Sequence, residues 1–178
     1  MNNHINGTCS RSRVIDLALL FIVTVLTLQG CASVISKGTI QEVDPNLTFE
    51  QVLKDPDAYV GQMVLFGGTI IRTDNVTGQT RIFVLQRPLG FRDEPTSKDI
   101  TKGRFIISVQ EFLDPEIYQP GRKVTAAGPL TGKEVHPLDG IEYTYPVIVK
   151  KELYLWPVVE YQPEPPRFRF GFGVHMGF

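Results

Sequence analysis

A short apolar run that ends close to a cysteine most constrains how this chain folds. The run extends from Leu17 to Leu28, follows two arginines at positions 11 and 13, and ends just before Cys31. A basic start, about a dozen apolar residues and then small residues are typical of a secretory signal peptide. A membrane-spanning helix needs about 20 apolar residues, and Asp16 prevents an upstream extension. We predict that residues 1–30 are a signal peptide; a buried helix is the alternative.

The residues just before Cys31 resemble the lipobox of bacterial lipoproteins. Leu28 stands three residues before the cysteine and Gly30 directly before it. The resemblance implies that Cys31 becomes the first residue of the mature chain, with an S-diacylglycerol on its sulfur and an N-acyl group on its amine. Two or more acyl chains anchor a protein stably, whereas one holds it only reversibly. Apart from this covalent lipid we expect no cofactor.

The residue after Cys31 predicts where the anchored protein is retained. In the common enterobacterial sorting rule an aspartate there keeps a lipoprotein in the inner membrane, but this chain has Ala32. The resemblance therefore implies the outer membrane, on its periplasmic side. Because Cys9 lies in the removed segment, the mature chain keeps one cysteine, and its sulfur is acylated. Disulfides, a C-x-x-C redox site and a thiolate metal site are thereby excluded.

The charge balance argues against a nucleic-acid partner. Without residues 1–30 the chain has 148 residues, with 16 Lys and Arg against 18 Asp and Glu. The two signs are interspersed, which is typical of an ordinary solvated surface and not of a basic footprint. We predict the membrane as a partner, through the lipid, and envelope proteins or cell-wall glycan as further partners.

The mature chain divides into three parts. Residues 31–47 have scattered apolar side chains and end at a Pro-Asn turn signal, which predicts a lipidated tether. Residues 48–156 carry the patterned segments of a β domain. Residues 157–178 are rich in Pro, Phe and Gly, so we predict a flexible tail. Contact of its rings with the membrane interface or a partner is the alternative.

The domain begins with a helix signal and continues with strands. Thr48 and Gln51 form a capping-box pattern, and Asp55-Pro56 predicts the end of the helix. Within the first strand, Gly67-Gly68 predicts a bulge or a bend, and a hairpin loop longer than two residues is predicted after it. A short helical connection is predicted between the third and fourth strands. The predicted strands are residues 62–73, 80–87, 103–110, 122–130 and 141–156.

This order of elements resembles the OB-fold, a five-stranded Greek-key barrel. We therefore predict a mainly β domain, with a small OB-like barrel and a short N-terminal helix.

Several segments resemble the Slp family of outer-membrane lipoproteins, named for starvation-inducible members. They are YVGQMVLFGG, GRFIISVQEFLDPEIYQPGRKVTAAGPLTG and YTYPVI, and the likeness runs from the lipobox to about Trp156. The loop QRPLGFRDEPTSKDITK and the Phe/Gly-rich tail depart from the family pattern. The resemblance implies an outer-membrane lipoprotein associated with stress and envelope integrity. It implies no catalytic residue, and only Cys31 receives a role from it.

The sequence contains no catalytic motif, and we predict that the protein is not an enzyme. No serine lies in a G-x-S-x-G setting, and the mature histidines, His136 and His175, make a poor zinc site. We interpret His136 as an exposed loop residue. Glu142 in the fifth strand and Asp93, which precedes Glu94, keep a hydrolase as an alternative.

A further alternative takes the OB-like barrel literally. Such barrels bind ligands across strands two and three, which predicts an oligosaccharide or a peptidoglycan fragment there. Phe83 and Phe105 are the candidate stacking residues, although core packing is an alternative use of both, and Glu142 is a candidate at the groove. Our leading hypothesis is a non-catalytic, lipid-anchored domain that binds or spaces envelope components.

Overall fold

Six β-strands make up most of the domain. The computed structural model describes residues 33–158, so the predicted signal peptide, Cys31 and the tail beyond Val158 lie outside the described residues. Within that range no helix has both the length and the apolarity to cross a bilayer. The elements are α1 (Lys37–Glu42), α2 (Phe49–Lys54), two 3-10 turns (Pro56–Tyr59 and Phe91–Asp93), β1 (Met63–Val76), β2 (Gln79–Gln86), β3 (Arg104–Val109), β4 (Lys123–Leu138), β5 (Ile141–Val149) and β6 (Glu152–Leu155).

Five of the strands close into a ring with the Greek-key order of an OB-fold. β1 pairs antiparallel with β2, and β2 pairs antiparallel with β3. β3 pairs in parallel with β5, and β5 pairs antiparallel with β4. The start of β4 pairs with the start of β1 and closes the ring, while β6 adds to β4. The predicted mainly β, OB-like barrel is confirmed.

The glycine pair of β1 lies where this strand changes neighbours. Met63–Thr69 pairs with β4, and Gly68–Val76 pairs with β2. A Cβ atom at Gly68 would lie 2.0 Å from the carbonyl oxygen of Leu85, so the close approach of the two backbones requires a glycine. The register irregularity falls further along, between Ile70 and Arg72.

Apolar side chains from all five strands of the ring fill the barrel. Phe49, Phe66 and Phe105 pack edge to face with ring centroids 5.1 to 5.9 Å apart, a favourable geometry for aromatic pairs. Phe49 comes from α2, whose predicted capping box is present: the Thr48 hydroxyl accepts from the Gln51 N–H, and the Gln51 side chain accepts from the Thr48 N–H. The helix therefore packs against the barrel core through Phe49.

Three connections differ from the sequence prediction. The hairpin between β1 and β2 turns through Thr77 and Gly78 alone, because both strands extend into the predicted loop. The predicted fifth strand divides at Lys150 and Lys151, whose N–H groups donate to β3 and β4 respectively. The predicted helical connection is turn structure, in which the N–H groups of Ile117 and Tyr118 both donate to Asp114 at 3.0 Å.

The segment predicted as a tether is part of the folded domain from Ser33 onward. It forms α1, whose N-cap Ser36 accepts from the N–H of Thr39. Ile35 and Thr39 are both 3% exposed. The described part of the predicted tether therefore packs on the domain itself.

Candidate functional site

The N-terminal end of the described chain is fixed to the loop between β2 and β3. The Ser33 hydroxyl donates to the carboxylate of Asp93, and the Val34 N–H donates to the carbonyl of Arg92 at 3.4 Å. Ile35 then enters the core. Cys31 precedes Ser33 by two residues in sequence, and two residues of fully extended chain reach at most about 7 Å.

Glu152 in β6 holds α1 on the domain. Its carboxylate accepts from the N–H of Ser36 at 2.8 Å, from the Ser36 hydroxyl at 2.5 Å and from the Thr39 hydroxyl. The hydroxyl of Ser36, followed by its N–H and the Thr39 hydroxyl, lowers the pKa of Glu152, because these donors stabilise the charged form. Next to it, Lys151 pairs with Glu42 at the end of α1. Charged and polar contacts thus attach the N-terminal segment to two adjacent residues, Lys151 just before β6 and Glu152 at its start.

The adjacent acidic residues Asp93 and Glu94 have different partners. The Asp93 carboxylate accepts from Ser33, and its backbone carbonyl accepts from the Thr125 hydroxyl at 2.7 Å. Glu94 instead pairs with Lys123 at 2.8 Å. Asp93 has a positive φ of 65°, which turns the chain sharply at this point. These contacts give Asp93 a role in holding the N-terminal segment, one that the sequence did not reveal.

A groove begins beside this loop and extends to the end of β6. It consists of two adjoining depressions of about 520 and 440 Å³, which share Glu94, Ser97 and Lys123. Phe91 and Lys98 line the first depression, while Arg122 and Trp156 line the second.

Trp156 is held in the groove wall by two contacts. Its indole N–H donates to the Thr125 hydroxyl at 2.9 Å, and its ring packs against Tyr154. In residues 33–158, Thr96 Oγ1 and Arg122 Nε are buried polar atoms without a hydrogen-bond partner. Both residues line the groove, but these two atoms lie beneath its surface.

OB-like barrels bind ligands across strands two and three, and in this domain the outer face of β2 and β3 is covered. The end of the β4–β5 hairpin curls over it, so that His136 lies 5.2 Å and Tyr145 5.6 Å from Phe83, measured between ring centroids. The guanidinium of Arg72 lies 3.8 Å from the centroid of the Phe83 ring, a cation–π contact.

An ionic pair fixes the hairpin in this position. Arg81 of β2 pairs with Glu134 of β4, and Glu134 also contacts His136 Nε2 at 2.9 Å. His136 is therefore half-buried in β4, and its interpretation as an exposed loop residue is wrong. Within residues 33–158 no group of three or more His, Cys, Asp or Glu residues is arranged to hold a metal ion.

The predicted ligand-stacking residues are both buried, on opposite sides of the sheet. Phe105 is 0% exposed inside the barrel, and Phe83 is 3% exposed under the hairpin. The alternative of core packing is correct for both, because each face of β2 and β3 is covered. Glu142 is exposed at the β4–β5 hairpin, opposite Pro137, and does not line the groove.

These features define a class: a small OB-like lipoprotein domain whose fold begins directly after a lipobox-like sequence. The family model described as the outer membrane lipoprotein Slp family matches residues 28–174, beginning at Leu28. The chain belongs to this family, and the protein is an outer membrane lipoprotein.

Two relatives from Escherichia coli (strain K12) support this membership. The lipoprotein YeaY is 30% identical over 158 residues, which cover 86% of this chain and 81% of YeaY. The outer membrane protein Slp is 28% identical over 131 residues, which cover 72% of this chain and 69% of Slp.

Solved structures similar to this chain include two single-stranded DNA binding proteins. The mitochondrial protein Rim1 from S. cerevisiae has a TM-score of 0.32 at 18% identity, covering 53% of this chain and 94% of Rim1. The small protein from Streptomyces coelicolor has a TM-score of 0.34 at 11% identity, with the same coverages of 53% and 94%. The OB-like description of the present fold rests on its own strand order.

Proposed function

We propose that Cys31 is acylated and that the β domain acts without catalysis at the periplasmic side of the outer membrane. There it contributes to envelope integrity under starvation or stress. The observation that carries this proposal is the packing of the chain on the barrel from Ser33, two residues after Cys31 in sequence. An anchor so close to the fold keeps the domain at the membrane surface.

The anchor is tested by substituting each cysteine in turn in the full chain. We expect Cys31→Ala to abolish incorporation of labelled fatty acid and to remove the protein from the outer-membrane fraction. Cys9→Ala is the matched control, because Cys9 lies in the predicted signal peptide, and it should leave both measurements unchanged. Equal acylation of the two variants would exclude Cys31 as the anchor.

The stress role is tested in cells that lack the protein. We expect such cells to become sensitive to detergent after carbon starvation, and expect wild-type protein to restore resistance. The Cys31→Ala variant should fail to restore it while being present in normal amount. Full restoration by the unanchored variant, or no sensitivity in the deletion strain, would contradict a role at the envelope surface.

The groove supports a second candidate function, binding of an oligosaccharide or a peptidoglycan fragment. Phe91 and Trp156 supply aromatic rings, and Lys98 supplies a charge. Titration with soluble peptidoglycan fragments should give a saturable change in fluorescence of Trp156, the single tryptophan of the chain. A Lys98→Gln variant should bind more weakly, and a control variant, Lys54→Gln, which changes an exposed lysine outside the groove, should not. If the fluorescence of Trp156 does not change during the titration, binding of such fragments in the groove is excluded.

No nucleic-acid partner is proposed. The two structural neighbours named above are single-stranded DNA binding proteins, but this chain has a formal net charge of −1. Affinity for a phosphate backbone depends on concentrated positive charge.

A further inference from the structure

We infer that the loop Gly90–Lys98 is the membrane-contacting surface of the domain, with the Phe91 ring in the lipid interface. This inference rests on the proposed acylation of Cys31. It adds an orientation: one defined face of the barrel lies on the bilayer, and the opposite connections point away from it.

The short distance between anchor and fold carries the first step of the argument. Ser33 and Val34 contact Asp93 and Arg92, and the two residues of chain from Cys31 to Ser33 reach at most about 7 Å when fully extended. The polar interface of a bilayer is about 5–7 Å thick on each side of the hydrocarbon core. Acyl chains attached to Cys31 enter that core, so the loop that binds Ser33 lies at the level of the lipid headgroups.

The chemistry of the loop fits that location. Phe91 is 68% exposed, although it directly precedes the residues that hold the N-terminal segment. Removing a large apolar side chain from water is favourable, and phenylalanine is among the residues that enter the lipid interface. Lys98 lines the same depression and is exposed, where its ammonium can meet lipid phosphates.

The other end of the described chain lies on the same face. Val158 is 67% exposed and lines the groove together with Glu94 and Trp156. Trp156 belongs to a residue type enriched at membrane interfaces. Thus Ser33, Phe91 and Val158 mark one surface, and the partner that fits it is a lipid bilayer.

Fluorescence from a tryptophan moved to the loop tests the orientation. The full-length variant W156F/F91W carries its single tryptophan on the loop, and W156F/F112W carries it on the β3–β4 connection. Phe112 is a matched control because it is 73% exposed, and its neighbour Leu113 contacts Asn75 near the β1–β2 turn. Both proteins are expressed with their signal sequences, checked for acylation by mass, and reconstituted into phosphatidylethanolamine–phosphatidylglycerol vesicles containing headgroup-nitroxide lipid.

We expect the nitroxide to quench the tryptophan at position 91 about twofold or more relative to position 112, because only the former enters the interface. Equal quenching, or stronger quenching at position 112, in acylated and vesicle-bound protein would overturn the orientation while leaving the proposed anchor intact. Absence of acylation would overturn both. The mass measurement therefore distinguishes the two failures.

Hydrogen exchange of the wild-type chain gives a test that needs no substitution. Binding to the same vesicles without nitroxide should slow exchange in residues 90–98 and leave residues 111–118 unchanged. Protection of residues 111–118 alone would contradict the orientation, even if the tryptophan variants failed to fold.

Discussion

Glu152 is the residue that connects the last strand with the first helix, and its titration sets the acid response of that contact. Donors from Ser36, followed by Thr39, lower its pKa in the folded state. Its contribution is therefore fully present above the ordinary carboxyl pKa, and it is lost as the pH falls through the lowered value.

We predict that Glu152→Gln lowers the hydrogen-exchange protection factors of residues 34–42 at neutral pH, where each factor is the observed rate corrected for the intrinsic rate at that pH, and removes the acid dependence of this protection. The protection factors of the wild-type protein should fall to those of the variant only after acidification below the usual carboxyl range. Glu142→Gln, at an exposed position of β5, is the control and should behave as wild type. Identical exchange in all three proteins would mean that Glu152 does not hold α1.

The second prediction at this scale concerns Gly68. A Cβ atom there would overlap the carbonyl oxygen of Leu85, so Gly68→Ala should lower the free energy of unfolding by about 1–3 kcal/mol or more. Gly38→Ala is the control, since nothing lies within 4 Å of a Cβ there and alanine is favoured over glycine in a helix by about 1 kcal/mol. Urea unfolding measures both. A tolerated Gly68→Ala would show that β1 and β2 can move apart.

At the scale of elements, the β4–β5 hairpin turns a potential binding face into a second core. We predict that Phe83→Ala lowers the free energy of unfolding by about 3–5 kcal/mol, as for other buried phenylalanines. Phe91→Ala should change it by less than about 0.5 kcal/mol, because its ring is exposed. Urea unfolding measures the free energy of unfolding of both variants, and the difference between them shows the effect of burying the ring. A mild effect of Phe83→Ala would mean that the hairpin opens and exposes the face.

Elements with local signals were predictable from the sequence. The Thr48–Gln51 capping box and the helix end at Asp55 were both visible, because the interacting groups are three or four residues apart. The first four strands were visible because β-branched and aromatic residues are enriched in strands, whereas the single predicted fifth strand is two strands, β5 and β6. The barrel order followed from the resemblance to the OB-fold.

Contacts between distant parts of the chain were not predictable in this way. α1 has no strong local pattern, and its stabilising partner Glu152 lies 116 positions from Ser36. Phe83 and Phe105 lie on opposite faces of adjacent strands, and an alternating pattern does not say that a hairpin covers the outer face. The roles of Asp93 and Phe91 likewise depend on where the N-terminal segment packs.

At the scale of the whole molecule, the packed N-terminal segment limits how far the domain can move from the bilayer. We predict that ten Gly/Ser residues inserted between Ala32 and Ser33 preserve acylation but abolish preferential quenching at position 91. Such a linker has a root-mean-square span of about 17 Å, enough to lift the barrel from the headgroups. The same insertion in the β1–β2 turn, after Thr77, is the control. Unchanged quenching in the linker variant would show that the loop binds lipid without help from a short anchor.

The account depends most directly on the covalent state of Cys31, and the intact mass of the protein purified from membranes measures it. We predict a mature chain that begins at Cys31 and carries one diacylglycerol and one further acyl group, with Cys31→Ala lacking both. A chain that retains residues 1–30, or one cleaved elsewhere without acyl groups, would contradict the anchor and the orientation derived from it.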